Sequence, residues 1–341
     1  MSNGVPVSVL PDFGDNMPGM LASGLFRAQM FVGCVALVYL TATILLVRRL
    51  LRGGRAGTIL AARPQPRETP GPPAVWFERV VLALAAAGIL CVVYGFFIEP
   101  YWLEINRLKI ATPKLRAGSA PIRIVHITDF HSDPSPRLES RLPGVIAREK
   151  PDLVVFTGDT VNSAEALPVF RRCLRQIAAI APTFAIRGNW DTAYWSKLDL
   201  FGDTGVTELG GRAVPLRLHG SDLWIVGASP VGHPSVQRGL RAVPPGTLTV
   251  LLCHSPDEIE EVADRGVDLY LAGHTHGGQV ALPLFGPLVT LSRFGNRYAR
   301  GLYKVGGTWL YVNRGIGMEG GVPRVRFWAR PEIAVIDLVP P

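Results

Sequence analysis

Between residues 129 and 276 the chain sets a polar, metal-loving residue directly after one apolar run after another. IRIVHIT (122–128) runs into Asp129-Phe130-His131, and LVVFT (153–157) into Gly158-Asp159. Residues 183–186 precede Gly188-Asn189-Trp190-Asp191, TLTVLLC (247–253) delivers His254, and 269–272 lead to Gly273-His274-Thr275-His276. Short apolar runs bounded by turn residues read as fully buried strands. Helix-like segments at 164–178 and 257–263 lie between several of them. That alternation predicts an α/β fold whose sheet is covered on both faces. Sheets of this kind gather their ligands at the carboxyl ends of the strands.

The residue types narrow the chemistry. In extended chain, positions i and i+2 project alike, so Asp129 and His131 could share one metal. Asp159 has two oxygens and could bridge two. Asn189 offers an amide oxygen, and His254, His274 and His276 offer nitrogens. Taken singly, each is better explained as a turn residue or a core histidine. Five such elements in order predict a pocket for two divalent cations. Mixed nitrogen and oxygen donors suit Mn, Fe, Zn, Ni or Co better than Ca or a simple Mg site. A paired cation site suits hydrolysis of a phosphate ester or anhydride by water. The chain has no Gly-x-Ser-x-Gly elbow and no Walker loop.

Two uncharged apolar runs, 30–47 and 80–98, come before all of this. Each is near the ~20 residues that cross a bilayer as a helix. The first ends in arginines rather than in a small-residue cleavage site, so a cleaved leader is disfavoured. Between them, 48–79 carries Arg48, Arg49, Arg52, Arg55, Arg63, Arg67 and Arg79 around a Pro-rich stretch, and should be an irregular loop. The basic loop leans cytoplasmic, which would leave the C-terminal domain outside. Arg107, Lys109, Lys114 and Arg116 weigh against that orientation. The expected layout is a tail (1–29), two transmembrane helices with their loop (30–98), a linker or first edge strand (99–120) and a catalytic domain (121–341). The formal net charge is +8, which suits anionic partners such as lipid headgroups or phosphorylated substrates. No basic run interleaved with aromatics appears, so nucleic acid is not expected. Cys34, Cys91, Cys173 and Cys253 lack CxxC spacing and read as free, buried thiols.

The motif series resembles the calcineurin-like metallophosphoesterases, in their bacterial membrane-associated branch. The likeness covers 121–338, including Gly277-Gly278-Gln279 and the closing PEIAVIDL (331–338). It implies a βα-sandwich of two facing sheets flanked by helices, and hydroxide attack on phosphorus. It places Asp129, His131, Asp159 and His276 on one metal and Asp159, Asn189, His254 and His274 on the other. Asp159, Asn189 and Asp191 are then expected to carry the chemistry. The family usually has histidine where this chain has Trp190, with Asp191 as its partner. An indole cannot serve as a general acid, which tilts the expectation toward a diphosphate or another good leaving group. Alternatively Trp190 merely packs and Arg187 takes over. Arg297 and Arg300, with Arg293, Asn296 and Tyr303 nearby, are further candidates for phosphate contact; a solvated loop is the plainer reading there, and Asn313-Arg314-Gly315 is as open. Trp195, Trp224, Trp309 and Trp328 read as core. Some members of the superfamily hydrolyse UDP-2,3-diacylglucosamine, whose acyl chains would explain a membrane tether. The competing expectation is a membrane-anchored scaffold or sensor that kept the metal site and lost activity.

Overall fold

The computed structural model describes residues 17–54, 72–229, 233–320 and 324–341. Most of the Pro-rich loop (55–71) and the first sixteen residues of the expected tail lie outside the described residues.

Helices α1 (Met17–Gly54) and α2 (Pro72–Phe97) carry the two apolar runs. The first begins well before residue 30 and continues past Arg48 and Arg49, because Leu, Ala and Arg all favour helix. Prolines open the second, where a missing N–H costs nothing. The stretches Ala28–Leu51 and Pro73–Tyr101 are long and apolar enough to cross a membrane. Only 6% and 17% of their most apolar windows are buried, so they are not core helices of the domain. They pack on each other through Ala42, Val81 and Ala85. The Tyr39 hydroxyl donates to the Ala85 carbonyl at 3.1 Å.

The remainder is a four-layer α/β/β/α sandwich. One six-stranded sheet is built from β1 (Glu104–Ala111), β2 (Ile122–Ile127), β3 (Leu153–Phe156), β4 (Thr183–Ala185) and β5 (Thr207–Glu208), together with the C-terminal strand. The other uses β6 (Ala213–Leu218), β7 (Ser221–Gly227), β8 (Leu248–Leu252) and β9 (Leu269–Ala272). A two-stranded hairpin, β10 (Ala281–Leu282) and β11 (Gly286–Pro287), leaves the second sheet. Strands β12 (Gly301–Val305) and β13 (Thr308–Val312) return to it, and β14 (Glu332–Val339) closes the first sheet between β1 and β2.

Alternation along each strand makes the layers. Ile122 and Ile124 of β2 join Val250, Leu252, Leu269 and Leu271 in the core between the sheets. Val125 and Ile127, on the opposite face, join Phe170, Leu174 and Ile177 of α4 (fourth helix, Leu167–Ala178; the third is α3, Leu142–Glu149). The outer face of the second sheet is covered around Val236, Ile259 and Val262. The fold class is thus the expected one.

Residues 99–120 take the second of their two expected forms. β1 pairs in parallel with β14, from Glu104↔Glu332 to Ala111↔Val339. Strands β6 and β12 were not legible; both are half-exposed edge strands, and β6 contains Pro215. All four cysteines are free, but Cys34 and Cys91 are exposed on the apolar helices instead of buried. Trp328, expected in the core, is 54% exposed.

Candidate metal centre

Every expected ligand sits just beyond the end of a strand. Asp129 and His131 follow β2, Asp159 follows β3, and Asn189 opens helix α5 (Asn189–Trp195) after β4. His254 follows β8, and His274 and His276 follow β9. The expected i, i+2 geometry is corrected here. Asp129 and His131 are not extended; their φ angles are 49° and 38°, and Asp159, His274 and His276 also have positive φ. A left-handed turn after each strand aims the side chain across the sheet ends. Such conformations cost about 1–3 kcal/mol each and gather at functional sites.

The glycines of the motifs have a steric reason. A Cβ on Gly188 would stand 2.0 Å from Asp159 Oδ1, and one on Gly273 would stand 2.2 Å from Asp129 Oδ2. Each lets backbone press against a ligand carboxylate.

The side chains converge. Asp159 Oδ2 lies 3.4 Å from His131 Nε2 and 3.3 Å from His254 Nε2. Asp129 Oδ1 lies 3.5 Å from His276 Nε2 and 3.9 Å from His254 Nε2. Two overlapping groups, Asp129 with His131 and His276, and Asp129 with Asp159 and His254, bring ligating atoms within 4.8 Å of one another. The His254 and His274 rings are 5.1 Å apart. All the carboxylates and imidazoles of the set are buried.

Second partners fix which nitrogen faces inward. His254 Nδ1 donates to the Thr157 carbonyl (2.7 Å), and His131 Nδ1 to Asn162 Oδ1 (3.2 Å). His274 Nε2 donates to the Leu291 carbonyl at 3.1 Å, which leaves its Nδ1 for the centre. This is how proteins orient metal-binding imidazoles. His131 Nε2, His254 Nε2 and Asn189 Oδ1 are buried with no hydrogen-bond partner. Left so, each costs about 1–3 kcal/mol. Two divalent cations would satisfy all three, and the donor set fits them.

Charge says the same. Burial pushes the Asp159 carboxyl up, but the nearby charges of His254 and His131 outweigh it and hold it well below the usual range. Burial pulls His254 down, yet Asp159 and Asp129 lift it to about 10. The carboxylates demand a positive charge among them. Burial, then the charge of His131, keeps His276 well below an ordinary histidine, and burial, then the charge of His254, lowers His274. Neutral imidazole is the form that ligates metal.

Other expected residues are placed differently. Asp191 does not face the centre. Its carboxylate accepts from the N–H groups of Gly188, Asp159 and Thr160 (each 2.9 Å) and from the Thr160 hydroxyl (2.6 Å). It ties the Asp159 loop to the Asn189 loop, a positioning role. Trp190 does lie at the centre: its ring meets His131 edge-on at 5.6 Å and Tyr194 at 4.4 Å. Its backbone N–H donates to Asp159 Oδ1 at 2.9 Å. Arg187 cannot stand in for a histidine, because its fork is held by Glu208 and the carbonyls of Trp195 and Leu198. Arg297 pairs with Glu260, and Arg293 with Glu261. Arg300 flanks Gly277, but its head donates to the Trp328 carbonyl. Each of these arginines thus already donates to an acceptor of the chain, and Arg187 through its whole fork.

Sequence reasoning missed Asn162, which besides orienting His131 donates to its carbonyl at 2.7 Å. It also missed Gly315 and Gly317, which press against Asp129 and the Phe130 carbonyl. The only signal was the Asn-Arg-Gly run at 313–315, left open above.

A profile of the calcineurin-like phosphoesterases matches residues 122–278. Among curated relatives, the metallophosphoesterase YkuE of Bacillus subtilis is 32% identical over 77% of this chain and 96% of its own length. Phosphodiesterase YaeI of Escherichia coli is 33% identical, covering 72% of this chain and 92% of that protein. UDP-2,3-diacylglucosamine pyrophosphatase LpxG of Chlamydia muridarum is 27% identical, covering 74% and 94%. With the ligand geometry, these likenesses give one conclusion: the chain belongs to the calcineurin-like phosphoesterases, a family of metal-dependent hydrolases.

Proposed function

We propose that the chain hydrolyses a phosphodiester or diphosphate bond of a lipid-linked compound while anchored in the membrane by α1 and α2. The observation that carries this reading is the convergence of Asp159 on both His131 and His254, at 3.4 and 3.3 Å. Asp129, His131, Asp159 and His276 would hold one divalent ion, and Asp159, Asn189, His254 and His274 a second. Bound there, such a pair makes hydroxide available near neutral pH and stabilises attacking and leaving oxygens.

The residues of the chain do the rest. Asp191 holds the Asp159 and Asn189 loops in register through three backbone donors. Asn162 and the Thr157 carbonyl fix two imidazoles. The Trp190 indole shields the edge of His131 and offers no proton of useful acidity. General acid help contributes roughly 10²–10⁴-fold for poor leaving groups. A diphosphate or an acidic alcohol departs without it. The name of LpxG, a pyrophosphatase of an acylated sugar nucleotide, supports UDP-2,3-diacylglucosamine as the compound to try first.

The test uses the full chain in detergent, reconstituted with Mn. Turnover of UDP-2,3-diacylglucosamine and of aryl phosphodiesters of graded leaving-group pKa is measured beside metal content. Asp159→Ala should cut turnover at least about a thousandfold and lower bound metal. Turnover retained within tenfold would place the metal bridge elsewhere. A rate independent of leaving-group pKa would remove the role given to Trp190. That indole also favours a second reading, a metal-holding scaffold or sensor. Stoichiometric metal with no turnover of any activated ester would establish the scaffold instead.

A further inference from the structure

We infer that an apolar cleft between the two apolar helices and the loop after the metal ligands holds an acyl chain of the substrate. The cleft has a volume of about 400 Å³ and an almost wholly apolar lining, within the range of small-molecule sites. Phe31 and Val35 of α1 and Phe96 of α2 form one wall; Val280, Leu282 and Phe327 form the other. Val280 follows His276 by four residues, and the Phe327 N–H donates to the Gln279 carbonyl at 2.9 Å. The wall of the cleft and the metal loop are therefore one continuous stretch of chain.

Three observations say that lipid fills this cleft. First, seven of its eleven lining residues belong to helices with the length and composition of membrane spans, so with those helices in a bilayer it opens to hydrocarbon and not water. Second, the β10–β11 hairpin beside it ends in Leu284 and Phe285, fully and 79% exposed. Among the described residues, the other large exposed apolar side chains outside the two spans are Phe26, just before the first span, and Trp102, Trp328 and Tyr194. Tyr194 packs at a tilt against Trp190 at the metal centre. Trp102 and Trp328 flank the end of α2, where the Trp328 N–H donates to Glu99. Tryptophans at a helix end and an apolar hairpin tip are the marks of a surface seated at a bilayer interface. Third, the seat is fixed and not a loose tether: the Arg326 N–H donates to the Gly95 carbonyl at 3.0 Å, and Tyr94 meets Phe327 edge-on at 6.0 Å. A lipid whose chain enters between Val35 and Leu282 thus brings its head to the His276 loop without leaving the membrane.

This inference rests on the lipid-linked reading above, and the two can fail separately. Val35→Trp and Leu282→Trp fill the cleft from opposite walls. For each variant in detergent micelles, kcat/KM is measured on UDP-2,3-diacylglucosamine and on its unacylated counterpart, UDP-glucosamine. Each methylene removed from apolar contact lowers binding about fourfold. The acylated-to-unacylated ratio should therefore fall at least tenfold in both variants, through KM. A wild-type enzyme that prefers the acylated compound, with the ratio unchanged in both variants, would overturn the cleft and leave the lipid-linked reading intact. A wild-type enzyme that hydrolyses only the unacylated compound would overturn both. As an activity-free readout, a photoreactive fatty-acyl phospholipid in nanodiscs should label Leu282 more than Leu40, which is exposed on α1. Equal labelling would mean bulk lipid lies there, and would also overturn the assignment.

Discussion

The cluster from Asp129 to His276 and the guanidinium of Arg326 are both fully buried charge, and they resolve it in opposite ways. Arg326 spends its fork on backbone carbonyls: Nε and Nη2 on Gly317, Nη2 also on Arg314 and Gly315, and Nη1 on Ala329. Burial lowers it to about 9, still above neutrality, so it stays charged. The histidine cluster keeps bare nitrogens and a bare amide oxygen. The arginine completes the chain's own structure; the cluster is completed only by something from outside. The two regions also touch. Gly317, held by Arg326, donates its N–H to the Asp129 carbonyl at 2.6 Å, and Gly315 backs the Asp129 side chain. The self-satisfied knot is the foundation on which the unsatisfied site is held.

The largest expected effect breaks the knot. Arg326→Met keeps an apolar stem but strands the carbonyls of Arg314, Gly317 and Ala329, while that of Gly315 keeps the Glu332 N–H. Unpaired buried groups of this kind should cost about 4 kcal/mol in sum. Thermal unfolding in detergent measures it, with Arg326→Lys as the comparison that keeps charge without the fork. If Met at 326 leaves the midpoint unchanged, the carbonyls find other donors and the contrast with the metal cluster fails. Loss of metal affinity in a variant that still folds would sharpen it, by showing that the knot supports Asp129.

A smaller effect works on the other region. Chelation should leave the folded domain intact but destabilised, by about 2.7 kcal/mol relative to free metal at a hundred times its Kd. Returning metal should raise the midpoint again. Asp159→Ala should be nearly indifferent to chelator. A wild-type midpoint that ignores chelator would mean the bare atoms of the cluster need no cation.

How much of this was legible follows from burial. Strands β3, β8 and β9 are buried at every position, and their apolar runs announce them. Strands β1, β6 and β12 show mixed exposure, and their sequences look like loop. Ligand identity was legible because Asp, Asn and His after a buried strand have few other uses. Ligand geometry was not, since the left-handed turns at Asp129 and His131 are set by neighbours such as Gly315 and Gly317. The acceptors of Arg187, Arg297 and Arg300 were not legible for a related reason. Long cations are claimed by whatever acceptor the fold brings near, and here those stand 21, 37 and 28 residues away.

The smallest expected effect lies between β2 and β14, at the end of β2 away from the metal ligands. Arg123 donates to both oxygens of Asp337, at 2.7 and 2.8 Å. Hydrogen bonding and charge from Arg123 hold the Asp337 carboxyl below its ordinary value. A carboxyl held lower in the folded state binds protons less readily there than in the unfolded chain. Its contribution is therefore complete above an unfolded value of about 3.9 and disappears as pH falls through the folded value. The pair is partly open to water, so the contribution is under about 1 kcal/mol. Asp337→Asn should lower the unfolding midpoint slightly near pH 7, and the gap to wild type should shrink as pH falls below the unfolded value and through the folded one. A gap that persists undiminished in acid would mean that packing around β14, not charge, is what the substitution disturbs.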